Sequence, residues 1–136
     1  MSKKEIEYSV TQLARAIVRL EEAVRQAADD DPLKQDGAIQ RFEFTFELLW
    51  KTLKRYFDFV GKSPLANPRD ILKEAFRQNF FTEEATFLEM LDDRNICAHV
   101  YDFDTTRRIF DKIKARYLAA IQGLALLVKE KADAAG

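Results

Sequence analysis

The chain has 136 residues, 47% of them apolar and 33% charged, with 4 glycines and 3 prolines; that length supports a real core, and that balance suits an all-helical domain. Its 22 Lys and Arg against 23 Asp and Glu leave a net charge of −1, which argues against coating nucleic acid by bulk charge but allows a local basic site. Cys97 is the only cysteine, so an internal disulfide and a cysteine zinc cluster are excluded. The first residues lack the apolar core of a signal peptide and no apolar run is long enough to span a bilayer, so a soluble cytoplasmic protein with no membrane partner is expected.

Five helices are predicted. Ser2-Lys-Lys-Glu5 has the form of a capping box, and Ile6, Val10, Leu13, Ile17, Leu20 and Val24 then recur at three and four. Asp29-Asp30-Asp31 and Pro32 end this helix, and a short loop reaches Gly37. The second helix, roughly 38–60, is the heaviest apolar element. Phe42, Phe44 and Phe46 alternate as a strand would, but the uninterrupted length and the Glu47–Lys51 spacing favour a helix. Its apolar residues lie on more than one side, as expected of a central helix or one that also meets a second subunit. Gly61 is a plausible stop.

Asn67 and Pro68 read as the cap and first turn of a third helix running through Phe80. Thr82 caps a fourth, which carries Phe87, Leu88 and Leu91. A fifth, roughly 104–131, places Ile109, Ile113, Tyr117, Ile121, Leu124 and Val128 toward a core, and the tail 131–136 is expected to fray. Together these elements predict one all-α domain over 1–136, an up-and-down bundle of about five helices around a four-helix core.

The fourth helix ends in Arg94-Asn-Ile-Cys-Ala-His99-Val-Tyr101, which holds the only histidine. Histidine titrates near neutrality, arginine suits a phosphate, and tyrosine offers a hydroxyl or a stacking ring. This set can cleave RNA without a metal: neutral His99 takes the proton of a ribose 2′-hydroxyl while Arg94 holds the phosphate. Tyr101 can stack on a base. On a continuous helix Arg94 and Tyr101 share nearly one face, but His99 lies roughly 140° from Arg94. A helix that ends near His99, side chains that reach around, or a facing copy from a second subunit would each remove that difficulty.

Plainer readings exist for each residue. Arg94 can be an ordinary ion pair with Asp92, Asp93 or another acid, His99 a hydrogen-bonded helix end, and Tyr101 a core residue. Cys97 and His99 would point apart, so Cys97 reads as small buried filler. Glu43 and Glu47 share a face, which is read first as a wet face and second as paired carboxylates lining a site. Trp50 and the phenylalanines read as core or dimer interface. Arg107, Arg108, Lys112, Lys114 and Arg116 form a basic cluster that could track an RNA backbone but is most simply a solvated face.

Three blocks carry a family resemblance: Gln40-Arg-Phe-Glu-Phe-Thr-Phe-Glu-Leu-Leu-Trp50-Lys51, Pro68 to Phe76, and Arg94-Asn95 with His99-Val-Tyr101-Asp102. The Arg/His/Tyr spacing resembles the signature of the HEPN superfamily, and the three blocks in order resemble its nucleotidyltransferase substrate-binding branch. The resemblance implies a homodimer whose motifs pair across a two-fold axis, and a separate minimal nucleotidyltransferase as partner in a toxin–antitoxin pair. It implies Arg94 and His99 as catalytic residues of an RNase and Tyr101 as the site where the partner attaches AMP. Asn95 and Asp102 are weaker RNA- or nucleotide-binding candidates. No cofactor or metal of its own is implied; the partner would use a nucleoside triphosphate and magnesium, because this chain shows no Gly-Ser nucleotide-binding turn. The alternative function is a non-catalytic subunit that binds nucleotide or substrate for the transferase, with Arg94 and His99 holding phosphate. A third possibility is a helical dimerisation adaptor with a structural motif.

Overall fold

A computed structural model describes residues 1–27, 31–62, 65–99 and 102–135. The helices are α1 (Lys3–Gln26), α2 (Pro32–Phe59), α3 (Pro68–Arg77), α4 (Glu84–His99), α5 (Phe103–Lys112) and α6 (Leu118–Ala134), with a π-helical turn, Ile113–Tyr117, joining the last two into one rod. The fold is all-α, as the sequence predicts, with no strand among the described residues. No helix there is long and apolar enough to cross a membrane.

The helix ends follow local chemistry. Ser2 and Glu5 form the reciprocal capping box, Glu5 N donating to Ser2 Oγ at 3.2 Å and Ser2 N to Glu5 Oε1 at 3.4 Å. Pro32, expected only to end α1, instead opens α2. Asp31 caps it by accepting from Lys34 N at 3.2 Å, and proline fits the first turn because its missing N–H has no partner there in any helix. Gly37 therefore lies inside a helix, not in a loop. At the far end Gly61 takes φ 81°, and Lys62 N reaches Phe57 O at 2.9 Å to close the turn.

Asn67 caps α3 as expected, accepting from Asp70 N at 3.0 Å. This helix stops at Arg77 and not at Phe80, because Asn79 adopts φ 63° and Phe80 N turns back to Ala75 O at 3.0 Å. Thr82 does not cap α4; its hydroxyl donates to the Glu83 carboxylate at 2.9 Å, and the helix opens at Glu84. The last helix runs to Ala134, beyond the predicted end at Lys131, with Ala132 buried.

Helix α2 is central, packing against α1, α3, α4, α5 and α6. Phe42, Phe46, Leu49 and Leu53 on it are fully buried, and each such side chain contributes about 1.5–3 kcal/mol by leaving water. A buried hydrogen bond between the Ser9 and Thr52 hydroxyls, at 2.7 Å, fixes the register of α1 against it.

The π turn has a visible cause. Ile109, Ile113, Tyr117 and Ile121 are all buried and spaced by four. Four residues of α-helix turn about 400°, so such a stripe would drift about 40° per step off the core. A wider turn absorbs the drift, with Leu118 N bonding to Ile113 O. It delivers Tyr117 to the interior, stacked on Phe42 at 5.7 Å, where its hydroxyl donates to Asp93 of α4. Burial and the Asp93 carboxylate push the Tyr117 hydroxyl far above its ordinary range. Lys112 Nζ reaches the same carboxylate oxygen at 3.2 Å and Glu89 at 2.9 Å. Tyr117→Phe should therefore cost about 1–3 kcal/mol by removing one partner of a buried carboxylate, read as a lower urea midpoint at unchanged m-value.

Candidate functional site

Helix α4 is continuous through His99, its last residue. Arg94 and His99 thus sit about 140° apart on one helix, and no hydrogen bond joins them among the described residues. His99 is exposed and so is Asn95, whereas Arg94 is half-buried. Tyr101 lies outside the described residues.

Arg94 turns inward to α2. Its Nη2 pairs with Glu47 Oε2 at 2.8 Å, and its Nη1 makes a longer contact of 3.4 Å to Asn95 Oδ1. Glu47 is shared: its Oε2 also accepts from Trp50 Nε1 at 3.0 Å, and its Oε1 lies 3.4 Å from Lys51 Nζ. Glu43, one turn earlier on α2, feels the same guanidinium. Burial raises the Glu43 carboxyl and Arg94 opposes that rise. The two acids are thus carboxylates turned toward the motif, and the expected Glu47–Lys51 pair exists beside that role. Arg94 Nε is buried without a hydrogen-bond partner among the described residues, a cost that the Glu47 pair must offset.

The acids expected for Arg94 are engaged elsewhere. Asp92 pairs with Arg69 of α3 at 3.0 Å, and Asp93 takes Tyr117 and Lys112. Of the basic cluster, Lys112 and Arg116 are committed to α4, Arg116 bonding both Glu89 oxygens at 3.0 and 3.1 Å. They lock α4 to the last rod and are not free for an RNA backbone.

Asp102 caps α5, accepting from Thr105 N at 3.2 Å and Thr105 Oγ1 at 2.7 Å, and those bonds hold its carboxyl below the ordinary range. The Cys97 thiol is pushed up to about 11, first by burial and then by Glu43 and Asp93. It stays protonated at neutral pH, which removes a thiolate nucleophile.

The arrangement therefore offers an arginine fixed by α2 and an exposed imidazole at the end of the same helix. Glu47 is the member that the sequence offered only as a second reading, through its i, i+4 spacing from Glu43, and its contact with Arg94 favours that reading over the wet face.

The chain is similar to several known proteins. Residues 8–130 match the family described as "nucleotidyltransferase substrate binding protein like". A Haemophilus influenzae protein named "probable ribonuclease HepT" is 31% identical, with 74% of this chain and 79% of that protein covered. A crystal structure from Thermus thermophilus superposes with a TM-score of 0.73 at 30% identity, covering 88% of this chain and 98% of the other. A second solved structure, from H. influenzae and described as the fold of a substrate binding domain of a nucleotidyltransferase, has a TM-score of 0.64 at 23% identity, covering 94% and 99%, and shares the fold. With nearly the whole helical core matched and the Arg/His motif within the matched span, the chain belongs to the nucleotidyltransferase substrate-binding protein-like family.

Proposed function

We propose that the chain is a metal-independent endoribonuclease, neutralised by a separate minimal nucleotidyltransferase. The observation that supports it is an Arg94 oriented by Glu47 and an exposed His99 on the same helix α4, in a chain whose relative is named a probable ribonuclease. Neutral His99 removes the proton of the ribose 2′-hydroxyl, and that oxygen attacks the adjacent phosphorus. The bond to the 5′-oxygen breaks, leaving a 2′,3′-cyclic phosphate and a 5′-hydroxyl that must gain a proton. Arg94 stabilises the charge growing on the phosphoryl oxygens.

One imidazole cannot be neutral base and charged acid in the same step. A second copy facing the first supplies the other imidazole and also brings an Arg94 near a His99, so the reading includes a homodimer with a composite site. Tyr101 is the residue on which the partner's AMP would block that site. Asn95 beside Arg94, and Asp102 at the cap of α5, border it.

A second reading is favoured by the distance around the helix between Arg94 and His99 and by the family description. In it the chain binds nucleotide or substrate for the transferase and cuts nothing.

Expression without a partner distinguishes the two. Wild type should arrest growth and cleave RNA in excess EDTA, and His99→Ala should lose about 10²–10⁴-fold of that rate. Equal inertness of both proteins would overturn the nuclease and leave the binding subunit. Co-expression with the transferase should raise the intact mass by one or more AMP groups, and Tyr101→Phe should abolish the increase; an increase that survives would place the modification elsewhere.

A further inference from the structure

Three adjoining hollows on the outer face of α1 and α2 share one side chain, Phe44, which is 62% exposed. Tyr8, 67% exposed, stands in the first of them. An apolar ring left in water at the junction of three concavities has no role in this bundle's core, which Phe42 and Phe46 fill from the other side of α2.

The charge there is unlike that of the chain. The hollows carry five cationic side chains, Lys4, Arg15, Arg19, Arg41 and Arg55, against two carboxylates, Glu5 and Glu22. The whole molecule is at −1. Arg15 and Arg19 lie one turn apart on α1, a like-charge spacing that weakens a helix, and neither enters an ion pair among the described residues. Arg41 of α2 is drawn to the same place, its Nη1 donating to Arg19 O at 2.7 Å. The two carboxylates are already used within α1, Glu5 by Ser2 N and Glu22 by Gln26 Nε2.

We infer that this face is a single-stranded RNA track, in which Phe44 and Tyr8 stack on bases and the arginines follow the phosphates. Exposed rings interleaved with guanidinium groups match a polyanion that also presents flat apolar faces. A second copy of this chain fits less well, because a two-fold contact centred on Phe44 would set the arginines against their own copies. Phe44 lies one residue after Glu43 and three before Glu47, so the track runs beside the edge of α2 that receives Arg94. It does not require that the chain cut RNA.

The probe is a fluorescein-labelled 20-nucleotide poly-uridine RNA, followed by anisotropy in EDTA with the full chain in a His99→Ala background to keep the RNA intact. Adding Phe44→Ala should weaken binding at least about five-fold. Arg15→Gln with Arg19→Gln should flatten the slope of log affinity against log salt by about 1.4. Circular dichroism should show each variant folded. Unchanged affinity and slope in the folded variants, or no binding by the background protein at low salt, would overturn the track. So would a Phe44→Ala variant that turns a dimer into a monomer in sedimentation while holding RNA as before, which would assign the face to a second copy. RNA bound through Phe44 by a chain that cuts none keeps the track and removes the nuclease; cleavage by the wild type with Phe44-independent binding does the reverse.

Discussion

The contact between Arg94 and Glu47 ties the motif to the body of the protein. It spans 47 residues of sequence and joins the end of α4 to the middle of the central helix. Both side chains are about one-third exposed, so the pair is neither a freely solvated surface bridge nor a fully buried one. At that depth a short charge-assisted bond is worth on the order of 1 kcal/mol, little beside the apolar core. Its weight is directional. The guanidinium is held by one nitrogen, leaving Nη1 only a long contact with Asn95.

A second polar device fixes α4 on its other side. Asp93, adjacent to Arg94 and about 100° round the helix from it, takes Tyr117 and Lys112, while Glu89 one turn earlier takes Lys112 and Arg116. Neighbouring residues thus pull α4 toward α2 and toward the rod formed by α5 and α6. Burying a carboxylate costs several kcal/mol unless its lone pairs are satisfied, and the π turn is what brings Tyr117 into place to satisfy one of them. The position of α4 thus follows from one distribution of acids and bases, completed by the π turn that the apolar stripe of the last rod imposes.

Much of this was legible in the sequence because it is local. The capping box at Ser2, the Asn67 cap and the Gly61 stop depend on residues three or four apart, and the apolar stripes of α1 and of the final rod read directly as buried faces. The π turn had a signal too: three successive steps of four exceed what an α-helix can keep on one side. Less legible is punctuation with two meanings. Pro32 ends helices and also starts them, and Asn79 tolerates a left-handed backbone that the pattern through Phe80 concealed.

The partners of the motif were not legible. Asp92, Asp93 and Glu47 were equally available to Arg94 by composition, and only packing of α4 across α2 selects Glu47. The direction of Glu43 and Glu47 has the same origin, since a helix face is wet or dry according to what lies on it. The Arg94 and His99 spacing could be read at once, and the structure keeps the two apart on one chain as the helical period requires.

Glu47 holds Arg94 in place, and a double-mutant cycle on unfolding free energy, using Glu47→Gln, Arg94→Gln and the pair, measures that directly. The predicted coupling is about 1 kcal/mol, larger than the sum of experimental errors and absent from a control cycle that pairs Arg94→Gln with Asp92→Asn. Additive single and double variants, with no coupling between Glu47 and Arg94, would contradict it.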